Sequence, residues 1–431
     1  MRKEAHTRTG ELVAPAGPDG DFLNHGQTLS QGTYRLGILY VFSSISLGLH
    51  FLNGPTANLL LLATLFALIV HKPAVASTTT MKAQDWAYIG YLVFIFMSAL
   101  WSMSAPVTVF EAAPLVVPWV AALLLHQLPV DWVARVVVRF ALAGALLAPL
   151  IMMLNQRLAY QPNSSTGAPE LRGIFSHQLF FGAFLTLALG LIAVAYLNGR
   201  VTYVVGRSVY ARIFVVATLL LALGLSRTRL YVAVGVFCVV LTYLLAKSGS
   251  RRWLSLVLLS AFGLVLYSTF GAIMRYLEGI GFDTSLTGRT YVWGRTLSAI
   301  TEDSRLLGHG FGTFELSDFD QLFGAYRPAH AHSSYVQAYF ETGLVGLVLV
   351  LVLIGVQLGV AYRHSVESDR YSYSLFLVLY CAFGSLTGGL IYAGSLVTPF
   401  CLMMLFLAIE SRRNPVRSRP PLLSARAGPT Q

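Results

Sequence analysis

Apolar runs of about 20 residues, separated by short polar stretches, follow one another along most of this sequence. An α-helix of about that length crosses the hydrocarbon core of a bilayer. Twelve runs qualify, near residues 34–52, 57–71, 86–101, 107–126, 132–154, 177–197, 211–226, 229–246, 253–272, 336–361, 372–392 and 395–411. The pattern predicts an all-α polytopic membrane protein with about twelve transmembrane helices. The fourth run contains Pro114 and Pro118, where a kink is expected.

One interior polar interval is much longer than the others and separates the ninth run from the tenth. It extends from about Met274 to Tyr335 and holds many of the candidate site residues. The predicted organisation is a tail over 1–33, a transmembrane domain over 34–411 that includes a partly helical loop over 273–335, and a basic tail over 412–431.

Composition excludes a soluble globular protein, because 55% of the 431 residues are hydrophobic and only 11% are charged. The net charge of +11 does not indicate a nucleic-acid partner. Most basic residues stand in short loops beside apolar runs, as membrane orientation requires. We therefore expect membrane lipids as partners and no nucleic acid.

The basic residues also predict the orientation in the membrane. Of the 30 Lys and Arg residues, 21 fall on the side of the two tails and nine on the other. The nine are Arg157, Arg172, Arg227, Arg229, Arg275, Arg289, Arg295, Arg305 and Arg327. The bias places both tails in the cytoplasm and the long loop outside. Arginine binds phosphate oxygens with a planar fork, so this side suits a lipid-linked phosphate.

Arg227 and Arg229 stand between two apolar runs with almost no loop to hold them. Cations at such a turn either reach the lipid headgroups or meet an anion. The functional interpretation is a clamp for a pyrophosphate. Arg289, which follows Gly288, is open to two interpretations of its own: a solvated loop arginine or an anion ligand.

His332, in the segment His330–Ser334, is the candidate proton acceptor. A neutral imidazole is available near pH 7 as a general base. The alternative is a polar cluster in which Ser333 or Ser334 caps the helix that follows. Residue chemistry alone favours neither.

Metal and cofactor chemistry have little support in the sequence. A set of His330, His332 and Asp320 could hold a cation, but no spacing demands it. His309 lies in a Gly-His-Gly-Phe-Gly stretch that predicts a turn, and no strand precedes it as a dinucleotide site would require. We predict no metal and no cofactor.

Several motifs resemble those of the O-antigen ligases, within the O-antigen ligase and polymerase superfamily. His332-Ser333 is followed at the family spacing by Gly343 and Gly346. Ser226-Arg227-Thr228-Arg229 is similar to the family's Ser-x-Ser-Arg turn. Thr287-Gly288-Arg289 with Trp293 is similar to its Ser-Gly-Arg segment, and 308–312 to the glycine stretch that follows.

The resemblance implies a GT-C-like glycosyltransferase of the bacterial inner membrane with a periplasmic site. The reaction would transfer O-antigen from undecaprenyl diphosphate to lipid A-core oligosaccharide, without a metal and with inversion. Arg229 and Arg289 would bind the diphosphate, Arg172 would assist, and His332 would be the base. Two features depart from the family: Leu230 stands where a glycine is common, and 388–394 contains no acidic residue.

Three other functions stay open at this stage. An O-antigen polymerase or a protein O-oligosaccharyltransferase would share the donor and use another acceptor. A transporter or flippase for an anionic lipid-linked glycan would instead line a path with these arginines. That last class predicts charges deep in several spans and repeated halves, neither of which is evident.

Overall fold

A computed structural model describes residues 30–46, 49, 54–71, 81–162, 169–246, 257, 289–316, 323, 328, 330–368, 370–386, 388–390 and 398–412. Both predicted tails lie outside these residues, except for 30–33 and Arg412. Apart from Val257, the ninth predicted run also lies outside them, as do Thr287, Gly288, Asp318 and Asp320.

The described residues form fifteen α-helices and one small β-hairpin. The first eight helices are α1 Gln31–Ser46, α2 Gly54–Val70, α3 Ala83–Met97, α4 Ala105–Ala112, α5 Val116–Leu125, α6 Val130–Leu154, α7 Gln156–Ala159 and α8 Gln178–Leu197. The others are α9 Val201–Val204, α10 Val209–Ser226, α11 Arg229–Leu245, α12 Arg289–Ser298, α13 Ser334–Ser368, α14 Tyr373–Gly384 and α15 Thr398–Arg412.

Six helical segments in the described part of the chain are long and apolar enough to cross a membrane. They are Ala83–Leu100, Ala105–Leu125, Val130–Leu154, Gln178–Leu197, Val209–Ser226 and Ser334–Ser368. Shorter apolar helices cover Thr56–Val70, Arg229–Leu245 and Tyr373–Gly384. Helices therefore occupy the predicted runs as far as the structure describes them, and a polytopic helical protein is confirmed. The number of twelve crossings stays a prediction.

The fourth predicted run is interrupted, as its prolines indicate. A 3₁₀ turn over Ala113–Leu115 separates α4 from α5, and Pro114 is its central residue. Proline lacks the N–H that an α-helix would use and its ring crowds the preceding turn, so the helix tightens and changes direction there.

A β-hairpin corrects the prediction of a purely helical fold. Strand β1, Tyr160–Pro162, pairs antiparallel with β2, Pro169–Leu171. The hairpin lies between α6 and α8, on the side that the charge bias places outside. Three-residue strands leave no period-two pattern long enough to recognise in a sequence.

Helix α8 lies at the centre of the bundle. Of its apolar window 72% is buried, against 28–44% in the other five long helices. It packs against α6, α10, α11 and α14. The other apolar helices keep large apolar side chains exposed, such as Leu100 at 82% and Phe66 on α2 at 70%. An apolar surface of this kind is the one that lipid chains solvate.

Ion pairs to two buried carboxylates join the helix ends that the charge bias assigns to the cytoplasm. Arg412 Nη2 donates to Asp85 Oδ2 at 2.8 Å, and Arg200 Nη1 donates to Asp131 Oδ2 at 2.8 Å. Asp131 also accepts a hydrogen bond from Tyr373 Oη at 2.8 Å. Each contact links segments predicted on the same side, which agrees with the predicted arrangement of loops.

Helix α13 breaks at Gly343, nine residues from its start. Gly343 has φ 65° and ψ −167°, a conformation that residues with a Cβ rarely adopt. Backbone groups of the long loop form hydrogen bonds with the residues on both sides of this break. Leu344 N donates to Arg305 O at 2.9 Å, and Gly310 N donates to Glu341 O at 2.7 Å. A Cβ at Gly308 would lie 2.3 Å from the carbonyl carbon of Glu341, so the two backbones touch directly.

The side chain of Glu341 completes this attachment. It is 1% exposed. Its carboxylate accepts hydrogen bonds from Gly312 N at 2.8 Å, Phe314 N at 3.2 Å and Gln337 Nε2 at 3.0 Å. The glycine stretch 308–312 is therefore a turn, as predicted, and it fixes the outer loop to the first part of α13.

Replacing Gly343 with alanine is expected to destabilise the protein by about 1–3 kcal/mol, the usual cost of a strained backbone conformation. The new Cβ would lie 2.2 Å from Leu306 O. The matched control is Gly355→Ala in the same helix, where nothing lies within 4 Å of an added Cβ. Thermal unfolding in detergent measures both. Equal unfolding temperatures for the two variants would contradict the attachment of the outer loop to α13 at Gly343.

Candidate functional site

His332 lies immediately before α13 and is held by the end of α14. Its backbone is left-handed, with φ 53°. Ser334 N donates to Ser385 O at 2.9 Å, and Ser333 Oγ donates to Ser385 O at 3.3 Å. Ser333 Oγ is also 3.5 Å from Val336 N, the position of a helix cap. The two interpretations of this segment are compatible: the serines cap and anchor the helix, and the histidine projects from it.

The histidine segment is also tied to α12. The rings of His330 and His332 lie 4.3 Å apart, centroid to centroid. Between them, Ala331 O accepts a hydrogen bond from Trp293 Nε1 at 2.9 Å, and Ala331 N donates to Gln337 Oε1 at 3.3 Å. Trp293 therefore fixes α12 against the two histidines.

Arg289, the first residue of α12, is only 7% exposed. Its positive charge acts on His332, His330 and His177. A solvated loop arginine, one of the two interpretations from sequence, is wrong. A guanidinium kept largely out of water is stabilised by anionic or hydrogen-bonding partners.

The histidines around Arg289 are neutral at pH 7. Burial, and then the charge of Arg289, lowers the pKa of His332 to about 4. Burial, followed by the charges of Arg172 and Arg289, lowers the pKa of His177 to about 4. Burial also holds the pKa of His330 well below its ordinary value. Each ring can therefore accept a proton or donate an N–H at neutral pH.

Arg172 belongs to the loop between the hairpin and α8. Its guanidinium donates to three backbone carbonyls: Leu158 at 3.0 Å, Arg157 at 3.0 Å and Ser176 at 3.3 Å. These bonds hold the loop, so a structural role accompanies any contact with a substrate. Its assistance to the diphosphate stays a prediction.

The turn between α10 and α11 displays two exposed arginines. Arg227 is left-handed, with φ 54°, and its carbonyl accepts from Arg229 N at 2.9 Å. Thr228 packs into α8, where a Cβ on Gly182 would lie 1.9 Å from Thr228 Oγ1. The backbone therefore fixes the turn while both guanidinium groups face solvent.

Tyr231 connects this turn to the histidines. It is 1% exposed and lies within the electrostatic reach of Arg289. A Cβ on Gly388 would lie 2.1 Å from Tyr231 Oη, and Gly388 O accepts from Ser334 N at 3.1 Å. The start of α11 and the start of α13 thus meet at the end of α14.

No group of three His, Cys, Asp or Glu side chains is placed to hold a metal ion among the residues that the structure describes. Asp320, weighed from sequence as a ligand, lies outside them. The ring of His309 packs on that of Phe340 with 4.7 Å between the centroids, and the backbone N–H of His309 donates to Phe340 O at 3.2 Å.

Residue chemistry alone missed His177 and Tyr231. His177 closes the segment that begins at Arg172, at the start of an apolar run, and that position was the available signal. Tyr231 lies within an apolar run, where a tyrosine resembles an ordinary packing residue. The four predicted residues are otherwise placed as follows: Arg289 and His332 share one cluster, Arg172 reaches it through His177, and Arg229 faces solvent at the adjoining turn.

Lowering the pH from 6.5 toward 4 is expected to destabilise the protein. The unfolded chain binds protons at His177 and His332 near the ordinary pKa of 6.5, whereas in the folded protein these pKa values are about 4. Between the two values only the unfolded state takes up the protons. This contribution to stability is therefore complete above pH 6.5 and is lost as the pH falls.

Unfolding temperatures in detergent across that range measure the effect. A double variant with asparagine at 177 and 332 should depend less on pH than the wild type. If the unfolding temperature of the double variant depended on pH as that of the wild type does, the lowered pKa values assigned to His177 and His332 would be contradicted.

Two comparisons with known proteins bear on this cluster. Residues 212–351 match the family model described as O-Antigen ligase. Over 307 residues, 68% of this chain and 68% of the relative, the sequence is 25% identical to the exopolysaccharide production protein ExoQ of Rhizobium meliloti (strain 1021). The family match covers the turn with Arg229, α12 with Arg289, and His332. The resemblance drawn from the motifs is confirmed.

Proposed function

We propose that this chain belongs to the O-antigen ligase superfamily and is a membrane glycosyltransferase that moves a glycan from undecaprenyl diphosphate to a hydroxyl of lipid A-core oligosaccharide. The superfamily consists of membrane glycosyltransferase-like enzymes. The apolar helices, together with the family match, indicate a multi-pass membrane protein. The observation that carries the finer proposal is the buried Arg289 acting on a group of neutral histidines.

The donor diphosphate is the anion that these arginines suit best. Arg289 supplies a buried fork, and Arg229 faces solvent at the adjoining turn. Arg172 is the weaker auxiliary, since it already donates to three carbonyls. Guanidinium groups bind phosphate oxygens bidentately, and a diphosphate whose charge is held is a good leaving group.

His332 is the base of the proposed reaction. Its neutral imidazole takes the proton of the acceptor hydroxyl while that oxygen bonds to the anomeric carbon. The bond from the anomeric carbon to the phosphate oxygen breaks, and its electron pair leaves with undecaprenyl diphosphate. Direct displacement inverts the anomeric centre. The positive charges of Arg289 and Arg229 stabilise the departing phosphate.

The proposed reaction is independent of metal, because the arginines provide the charge that a divalent cation provides elsewhere. Full activity after exhaustive chelation is expected. Loss of activity that one cation restores would overturn this part of the proposal.

A polymerase is the second candidate, since the similar protein ExoQ is named for exopolysaccharide production. The donor site would be the same, and the acceptor would be a second lipid-linked glycan. Only the acceptor distinguishes the two reactions.

Reconstitution tests these proposals directly. The purified full chain is incorporated with undecaprenyl diphosphate-linked glycan and truncated lipopolysaccharide, and the products are separated by size. Glycan on lipid A-core supports the ligase. A ladder on the lipid carrier would establish the polymerase instead, and movement across the membrane without a new bond would establish a transporter.

The proposed setting is the bacterial inner membrane, with both termini in the cytoplasm and the site facing the periplasm. The distribution of basic residues supports it. The predicted membrane-lipid contacts follow from the exposed apolar faces.

A further inference from the structure

His177 caps helix α8 with one nitrogen of its ring. Its Nδ1 accepts a hydrogen bond from Leu179 N at 3.1 Å, and its backbone is extended, with φ −144° and ψ 145°. Since the lone pair of Nδ1 is used in this bond, the hydrogen of the neutral ring lies on Nε2. The cap therefore makes the distal nitrogen a donor.

The loop before His177 fixes the ring from the other side. Arg172 Nη1 donates to Ser176 O at 3.3 Å, one residue before the histidine. Phe175 stacks on Phe181 of α8 at 5.3 Å between ring centroids. A ring held by both flanking segments does not swing freely, so the direction of its Nε2–H is set by the fold.

His177 belongs to the same cluster as Arg289 and His332. The charges of Arg172 and Arg289 act on it, and it acts in turn on His330 and His332. Two cations and three neutral imidazoles thus lie within electrostatic reach of one another. This arrangement of charges favours an anion, or another oxygen acceptor, as the hydrogen-bond partner of the Nε2–H.

We propose that His177 is a donor-binding residue whose Nε2–H donates a hydrogen bond to an oxygen of the polyprenyl diphosphate. This inference rests on the proposed function and adds a neutral donor beside the arginines. A neutral N–H binds a phosphate oxygen without adding a third charge that would have to be desolvated.

Two substitutions separate binding from helix capping. His177→Asn keeps an acceptor at the Nδ1 position, and asparagine is among the best helix caps, but it has no group at Nε2. His177→Gln places an amide donor near Nε2 and loses the cap geometry. The affinity of the purified full chain in lipid nanodiscs for undecaprenyl diphosphate is measured for both, together with the unfolding temperature.

A binding role predicts that His177→Asn folds as well as the wild type and binds undecaprenyl diphosphate about 10- to 100-fold more weakly, the effect of one hydrogen bond to a charged group. His177→Gln should unfold at a lower temperature and bind more tightly than the asparagine variant. A role in capping alone predicts the opposite order of affinities.

Wild-type affinity in the asparagine variant overturns this inference and leaves the proposed function standing. Absence of binding by the wild-type protein itself overturns the proposed donor site, and the inference with it. The two failures are therefore distinguishable in one series of measurements.

Discussion

Removing the imidazole of His332 is expected to lower the rate of glycan transfer by at least about 10²- to 10⁴-fold, the range that general base catalysis supplies. Its ring lies 4.3 Å from that of His330 and within reach of the charge on Arg289. Binding of undecaprenyl diphosphate should change little, because the base acts on the acceptor. Single-turnover transfer and direct binding, measured on the same preparation, separate the two effects.

The choice of substitution matters because His332 has φ 53°. Asparagine tolerates this left-handed conformation better than alanine, and its amide is not a base. His332→Asn therefore tests the chemistry with less backbone strain than His332→Ala. His364→Asn, near the other end of helix α13, which follows His332, serves as the control and should transfer normally. Normal transfer by a well-folded His332→Asn protein would refute the base assignment.

The sequence predicted the residue types of this site better than their arrangement. Arg289 could be identified because only nine of the 30 Lys and Arg residues are predicted on the outer side, and His332 because Gly343 and Gly346 follow it at the family spacing. The buried position of Arg289 could not be predicted, since it depends on α12 lying against the histidine segment. Trp293 makes that contact, since it donates its indole N–H to Ala331 O at 2.9 Å.

Arg172 shows why contacts between distant residues limit such predictions. An arginine before an apolar run fits an anion ligand, yet its guanidinium donates to three carbonyls around a hairpin that the sequence did not reveal. Glu341 is a similar case. It lies near the start of a predicted apolar run, and its three N–H partners come from the outer loop and from the preceding turn of the helix.

Arg289→Lys is expected to weaken binding of undecaprenyl diphosphate by about 10- to 100-fold, because a point charge cannot replace a planar fork with paired donors. The residue is 7% exposed, so water cannot readily replace the lost hydrogen bonds. The matched control lies on the exposed face of the same helix. Arg295, which lies 5.5 Å from the ring centre of Tyr291, should tolerate the same change to lysine with unaltered affinity.

Arg289→Gln tests the electrostatic part of the same assignment, because it removes the charge that Arg289→Lys keeps. The charge of Arg289 is one cause of the low pKa of His332, so its removal should raise that pKa from about 4 toward its ordinary value. The imidazole would then be protonated at a higher pH. The acidic limb of kcat/KM should move to higher pH in the glutamine variant and stay in place in the lysine variant.

An acidic limb that is the same in the wild type and in both variants would show that Arg289 and the base do not share a site. Unchanged affinity of Arg289→Lys for undecaprenyl diphosphate would show, independently, that Arg289 does not bind the diphosphate.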